Sequence, residues 1–219
     1  MSTITLVRHG QANTGAHDED SYDMLSSLGH QQAAWLGAHM IDTGAHFERV
    51  YTGTLRRHVE TAASMGAVSD APPIRDARLN ELEFFPLAQA ALAQHGLTPP
   101  QNREGFMAYF PRLMTLWQQD ELDNPPEAFA QFDARVRDVM AEIHSGRGPA
   151  LVVTSGGLIA MVMRQVMGLD THNMAMACLA IMNSSVHRLH RLGDHIGVTQ
   201  FNAVPHLDLP DRQFAQTHL

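Results

Sequence analysis

The chain has 219 residues, of which 44% are hydrophobic and 17% are charged, and its formal net charge is −8. This length suits one compact domain with its own core, and the composition excludes a disordered chain. The acidic balance argues against a nucleic-acid surface, and the single cysteine, Cys178, excludes an intramolecular disulfide and a cysteine-rich metal site.

Short apolar runs alternate with helical patterns along most of the chain. The first half predicts strands over residues 4–7 and 49–52, helices over 26–40 and 54–65, and a short extended segment within 74–82. Ser26 or Ser27 is expected to cap the first helix, and Thr54 the second. The second half predicts helices over 128–144 and 158–167, a strand over 149–154, and a strand pair that begins near 179 and turns at Gly193-Asp194.

The stretch from about 84 to 127 differs from the rest because it is rich in aromatic residues and broken by two Pro-Pro pairs. We interpret it as a helical insertion that lies over the active site and shapes the substrate pocket. The polar residues from about 208 to 219 predict an irregular tail. We treat residues 1–219 as a single domain.

Strands that alternate with helices predict βαβ units and a mostly parallel sheet covered on both faces. The expected fold class is therefore α/β, with a three-layer α/β/α sandwich. In such sheets, ligands bind at the carboxyl ends of the strands. Two turns follow predicted strands in this way, namely Arg8-His9-Gly10 and Ser155-Gly156-Gly157.

The turn Arg8-His9-Gly10 has the residue types that phosphoryl transfer requires. An imidazole is unprotonated near neutral pH and can attack phosphorus, while an arginine offers a fixed fork to phosphate oxygens. Gly10 allows the backbone to approach a ligand closely. An exposed Arg-His pair in a loop would look the same, so these residues alone leave both interpretations open.

Five segments, in the same order and spacing, resemble the motifs of the histidine phosphatase superfamily, also called the phosphoglycerate mutase-like family. The second arginine of the family pattern then falls on Arg57. The segments are LVRHGQ at 6–11 (Arg-His-Gly), LSSLGHQQA at 25–33 (Leu-Thr-x-x-Gly-x-x-Gln-Ala), GTLRRHVETA at 53–62 (Ser-Pro-Leu-x-Arg-Ala-x-Gln-Thr-Ala), LNE at 79–81 (Leu-x-Glu), and 183–185 with 202–207 (the last strands).

The resemblance implies a phosphatase that works through a phosphohistidine on His9. Arg8 and Arg57 would hold the phosphate, and Glu81 would protonate the leaving oxygen and then activate water. Glu83, two residues further on, competes for the role of Glu81. The implied partner is a small phosphorylated substrate or a phosphate ion, with no cofactor and no metal.

One departure from the family pattern concerns the strand that ends in Ser/Thr-His-Gly-Gly, which here ends in Thr-Ser-Gly-Gly. Ser155 stands where the family has its second catalytic histidine. Losing one preorganised donor costs about 10²–10³ in rate, so slow turnover is expected. Gln11, Ser155 and Gly156 are expected to contact the substrate together with Arg8 and Arg57.

Several other polar residues have a less distinctive pattern. His58 could compensate for Ser155, but an outward-facing helix histidine is the favoured interpretation, because neighbouring helical positions point in different directions. Asn13 is a candidate for an asparagine of the family pattern. The pairs His39 and His46, and His187 and His190, lack a further ligand at metal-site spacing, so no metal site is expected.

Two alternatives to the phosphatase remain open. A catalytically degenerate protein that binds a phosphorylated ligand is favoured by Ser155, and a phosphoglycerate mutase-type transferase ranks last because it needs both histidines. The amino terminus lacks the features of a signal peptide, and no segment approaches the roughly 20 apolar residues of a membrane span. We therefore expect a cytoplasmic protein without a membrane partner. The sequence does not indicate an oligomeric state.

Overall fold

The structure is a computed structural model that describes residues 3–66, 68–193 and 195–218. Its sheet has the strand order β3-β2-β4-β1-β5-β6. The first four of these strands pair in parallel, and β5 and β6 are added antiparallel at one side. The strands are β1 (Thr3–Arg8), β2 (Arg49–Thr52), β3 (Ile74–Arg75), β4 (Ala150–Thr154), β5 (Val186–Leu192) and β6 (His195–Ala203).

Helices cover both faces of this sheet. Because side chains alternate along a strand, Leu6 packs into one core with helices α4 to α8, and Val7 packs into the other with α2 and α3. The predicted three-layer, mostly parallel architecture is thus confirmed. The helices are α1 (Glu19–Tyr22), α2 (Ser27–Asp42), α3 (Arg56–Ser64), α4 (Phe84–His95), α5 (Arg103–Gln118), α6 (Phe129–Ser145), α7 (Gly156–Met167) and α8 (Thr171–Ala180), with 3₁₀ turns at Ala77–Leu79 and Gln213–Ala215.

Helix α8 was not predicted, and it corrects the expected strand pair. Asp170 caps its first turn by accepting from the Asn173 N–H, and the helix continues through Leu179, where a strand was expected to begin. The antiparallel pair starts only at Val186, and it turns at Gly193, which has a φ of 65°. Asp194, the other residue of the predicted turn, lies outside the described residues.

The predicted caps of α2 and α3 have different outcomes. Ser26 caps α2, since its hydroxyl accepts from the Gly29 N–H. Thr54 does not cap α3, which begins at Arg56. The carboxylate of Asp23, from a distant loop, accepts from the N–H groups of Arg56 and Arg57 instead.

The carboxy-terminal segment is largely irregular, and it packs against α2 and the segment before β5. Ala215 is buried, and its carbonyl accepts from the Gln32 side chain at 2.7 Å. Thr217 accepts from the Asn183 N–H with its carbonyl and donates to the Asn183 side chain with its hydroxyl. The residues after 207 therefore belong to the packed structure. The division of the chain into one domain with an insertion stays a prediction. No helix within the described ranges is long and apolar enough to cross a membrane.

Helix α2 rests directly on the backbone that follows β1. A Cβ on Gly29 would overlap the carbonyl oxygen of Gln11, and a Cβ on Gly10 would overlap that of Gly29. We expect Gly29→Ala to lower the free energy of unfolding by about 1–3 kcal/mol, because backbone atoms cannot move aside cheaply. Urea denaturation measures this, with Gly15→Ala as the control, since a Cβ there meets nothing closer than 3.7 Å. Equal stability of the two variants would contradict the contact.

Candidate active site

A cavity of about 250 Å³ lies at the carboxyl ends of β1 and β4. Its polar wall combines Arg8 from the end of β1, Arg57 from α3, Glu81 after the first 3₁₀ turn, and the backbone of Gly156 and Gly157 at the start of α7. The opposite wall is apolar and is built largely by the segment predicted to cover the site. Its members are Leu82, Phe84, Phe85, Phe106, Phe110 and Leu179.

His9 follows β1 directly, and the residue is 2% exposed. Its Nδ1–H donates to the Gly10 carbonyl at 2.7 Å, which leaves the lone pair on Nε2. Burial, helped by the positive charges of Arg57 and Arg8, lowers the pKa of His9 well below its usual value. The ring therefore stays neutral, which is the state that a nucleophile requires. His9 itself is not one of the residues that line the cavity.

The two arginines of the polar wall are buried but incompletely paired. Arg8 donates through Nη1 to the carbonyls of Ile181 and His218, and Arg57 donates through Nη1 to Asp23 at 3.0 Å. The Nε–H of each arginine is buried without a partner among the described residues. Both side chains line the cavity, where a phosphate would meet two positive charges.

Glu81 and Glu83 occupy different environments, although the sequence left both as candidates for the acid. Glu81 lines the cavity, and its Oε2 accepts from the Gly157 N–H at 2.8 Å. A Cβ on residue 157 would overlap that carboxylate, so glycine permits the approach. Glu83 is exposed at the start of α4 and is not part of the cavity wall.

Besides the two arginines, three residues were predicted to contact the substrate, and they differ in their position relative to the cavity. Gly156 lines the cavity, whereas Gln11 does not, and the Gln11 Oε1 accepts from the Ser26 hydroxyl at 2.8 Å. Ser155 is fully buried, and its hydroxyl oxygen lies 2.5 Å from Nε2 of His58. All three substrate contacts stay predictions.

The expectation that His58 faces outward is wrong. Its side chain is 0% exposed, and its ring centroid lies 5.8 Å from that of His9. Burial, and secondarily the charge of Arg57, lowers the pKa of His58 well below its usual value. The first turn of α3 faces the carboxyl end of β4, where Ser155 leaves room for a ring.

Comparison with known proteins agrees with this geometry. The model of the histidine phosphatase superfamily (branch 1) matches residues 4–204. The chain belongs to the histidine phosphatase superfamily. A 2,3-bisphosphoglycerate-dependent phosphoglycerate mutase of Bartonella tribocorum is 35% identical over 146 residues, which are 62% of this chain and 64% of that protein. The chain thus matches less than two thirds of that relative's length.

Several solved structures share the fold. A phosphoserine phosphatase of Entamoeba histolytica, in complex with 3-phosphoglyceric acid, has a TM-score of 0.70 at 17% identity, covering 94% of this chain and 100% of that one. A phosphoglycerate mutase of Bacillus anthracis has a TM-score of 0.69 at 20% identity, covering 94% of each. At these identities the likeness shows the fold alone.

Several residues of this superfamily site were missed from the sequence. The Arg57 guanidinium lies over the Tyr22 ring at 5.1 Å, and Asp23 pairs with the same arginine. Neither residue belongs to a periodic or motif pattern that would have signalled it. Cys178 also lines the cavity, and burial raises its pKa to about 12, so the thiol stays protonated. Asn13 donates instead to the Ser21 carbonyl of α1.

In the part of the chain that the structure describes, no cluster of three or more histidine, cysteine or carboxylate side chains is arranged to hold a metal ion. One of the four histidines considered from the sequence, His187, is held by other contacts. His187 is buried, and its Nε2 and Nδ1 meet the Ser185 hydroxyl and the Asn202 N–H. His190 lies further along β5 and is half-buried.

Proposed function

We propose that the protein is a phosphatase that hydrolyses a small phosphomonoester through a phosphohistidine on His9. The observation that supports this best is the pair of arginines, Arg8 and Arg57, that line one cavity at the carboxyl end of the sheet. A neutral imidazole adjoins those arginines, and a carboxylate, Glu81, lines the same cavity. Membership of a superfamily that contains phosphatases adds to the proposal.

The reaction takes two steps in this site. His9 Nε2 attacks phosphorus in line, the bond from phosphorus to the ester oxygen breaks, and Glu81 gives its proton to the leaving alcohol. Water then attacks the phosphohistidine, Glu81 takes a proton from that water, and the N–P bond breaks to release phosphate. Arg8 and Arg57 offset the charge on the phosphoryl oxygens in both steps.

Glu81→Gln should lower turnover of phenethyl phosphate by about 10²–10⁴-fold, because the alkoxide leaves only with a proton and the amide cannot donate one. The amide oxygen can still accept from the Gly157 N–H, so the fold should be kept. Steady-state kinetics measure the effect, and Glu83→Gln is the matched control. If the two variants lost activity equally, Glu81 would not be the acid.

A protein that binds a phosphorylated ligand without turnover is the second candidate. It is favoured by the 2% exposure of His9 and by Ser155 in place of the histidine in the family pattern. Calorimetric titration with inorganic phosphate, alongside a turnover assay, separates the two. Binding without turnover would establish the second candidate. A mutase is less supported, because Arg8 and Arg57 are the cations among the described residues of the cavity wall, and both belong to the phosphate site.

A further inference from the structure

His58 and Ser155 form a buried pair that connects α3 to the end of β4. Both side chains are 0% exposed, and 2.5 Å separates Nε2 of His58 from Oγ of Ser155. Ser155 lies beside the nucleophile, since the preceding residue, Thr154, accepts with its carbonyl from the His9 N–H. The following residue, Gly156, lines the cavity. Along the chain, Ser155 thus stands between a residue bonded to the His9 backbone and a residue of the cavity wall.

We propose that His58 is a positioning residue that aims the Ser155 hydroxyl at the phosphoryl group during transfer. In the productive tautomer, the Nε2–H of His58 donates to Oγ, and the hydroxyl proton of Ser155 donates to a phosphoryl oxygen. The neutral state that burial imposes on His58 supplies one ring N–H, which suffices for this arrangement. The proposal rests on the proposed phosphatase function.

Gly53 provides the space for this ring. A Cβ on residue 53 would overlap His58 Nδ1 and would lie 2.7 Å from Oδ1 of Asn80. The motifs quoted above have Ser, Ala and His at the positions of Gly53, His58 and Ser155. The three differences are consistent with each other, because this chain lacks the family's histidine at the end of β4 and has a histidine from α3 in the same region.

The kinetic test compares single and double variants on p-nitrophenyl phosphate. His58→Ala and Ser155→Ala should each lower kcat by about 10²-fold with KM changed less than about threefold, because the donor acts in the transition state. Their combination should be no slower than either one, since the pair acts as a unit. Independent, multiplying effects would overturn the proposal, and so would a loss that appears only in KM.

Two substitutions of His58 distinguish a role in positioning Ser155 from a role in packing alone. His58→Gln retains an N–H that can reach Ser155, so it should recover at least tenfold over His58→Leu, although leucine fills the space as well. Thermal melts of both variants check that folding is not the cause. Equal activity of the two variants would overturn the role of His58.

Orthovanadate binding tests the proposal without turnover, because vanadate adopts the five-coordinate geometry of the transition state. His58→Ala should weaken orthovanadate about tenfold or more and inorganic phosphate less than threefold. If both ions bind the variant as well as the wild type, the proposal fails, whereas the proposed function fails only if the wild type itself gives no turnover.

The apolar wall of the cavity supports a second inference, about the substrate. Four phenylalanine rings cluster there, with Phe106 stacked on Phe110 at 5.7 Å and Phe84 at 5.6 Å from Phe106. Apart from Arg8 and Arg57, the described wall offers no cation to a second acidic group. We infer that the alcohol part of the substrate is apolar and is aryl or long-chain alkyl. This inference also rests on the proposed function.

Two alkyl esters test this preference with similar leaving groups. Phenethyl phosphate should have a kcat/KM at least about 10²-fold above that of O-phosphoserine. Burying the phenyl group against the apolar wall is favourable, whereas the charged amino and carboxylate groups of O-phosphoserine would lose their hydration there. Phe106→Ala should remove about tenfold of that difference. An equal or reversed preference would overturn the inference. Phenethylphosphonate, which cannot be hydrolysed, should bind more tightly than methylphosphonate even if turnover fails, and equal binding would also overturn it.

Discussion

His9→Ala should abolish phosphomonoester turnover, with a loss of at least about 10⁴-fold in kcat. The variant lacks the nitrogen that attacks phosphorus, so no phosphohistidine forms for water to hydrolyse. The ring of His9 is neutral through burial, and its Nδ1–H is fixed on the Gly10 carbonyl, so Nε2 is the reactive atom.

Two controls keep that result specific to the nucleophile. His9→Ala should still bind inorganic phosphate, because Arg8 and Arg57 remain in the cavity wall. His172→Ala removes an exposed histidine from α8 and should retain wild-type turnover. Turnover by His9→Ala at more than about one tenth of the wild-type rate would rule out a covalent step on His9.

The free energy of unfolding should fall steeply as the pH is lowered from about 6.5 toward 4.5. Four buried histidines have a lowered pKa, and burial is the main cause in each. For His187 and His206 the pKa falls to about 3, and for His9 and His58 it falls well below the usual value. In the unfolded chain these rings have a pKa of about 6.5.

The direction of this pH dependence follows from which state of the chain, folded or unfolded, binds more protons. Below about pH 6.5 the unfolded chain binds protons that the folded protein excludes, so acid favours unfolding, and the stability is fully present only above that pH. Each excluded proton contributes at most about 1.4 kcal/mol per pH unit to the slope of the free energy of unfolding against pH. His187 and His206 alone should bring the slope to about 3 kcal/mol per pH unit as the pH nears 4.5, and His9 and His58 act in the same direction.

Urea denaturation at a series of pH values measures this slope. The carboxylates with a lowered pKa, such as Glu60 and Asp76, lose their contribution only at lower pH, so the window above about pH 4.5 belongs to the histidines. His187→Gln should reduce the slope by about one proton, whereas the exposed His172→Ala should leave it unchanged. A stability that stays flat from pH 6.5 to 4.5 would contradict the burial of these rings as neutral groups.

Local sequence patterns were sufficient for most strands and helices, because alternation, capping and proline breaks act within a few residues. Ser26 capped α2 as expected, and the strand before Arg8 was predicted within one residue at each end. Contacts between distant segments were not predictable in this way. The cap of α3 comes from Asp23, and it is set by the loop that packs there and not by Thr54.

In the site, too, residues that belong to a local motif were predictable, whereas those that depend on distant segments were not. Arg8, His9, Arg57 and Glu81 occupy positions that a family motif specifies, and the fold brings them to one end of the sheet. His58 was misjudged because the burial of a helix residue depends on what faces it. Its partner, Ser155, is 97 residues away, so no local pattern could report the pairing.

The central claim, a phosphoryl group carried by His9, is tested most directly by trapping it. The wild-type protein is mixed with p-nitrophenyl phosphate, quenched in alkali within milliseconds, digested, and analysed by mass spectrometry. We expect one phosphoryl group on the peptide that contains His9, stable in base and lost in acid. A burst of product without that adduct, or with the phosphoryl group on another residue, would contradict the mechanism.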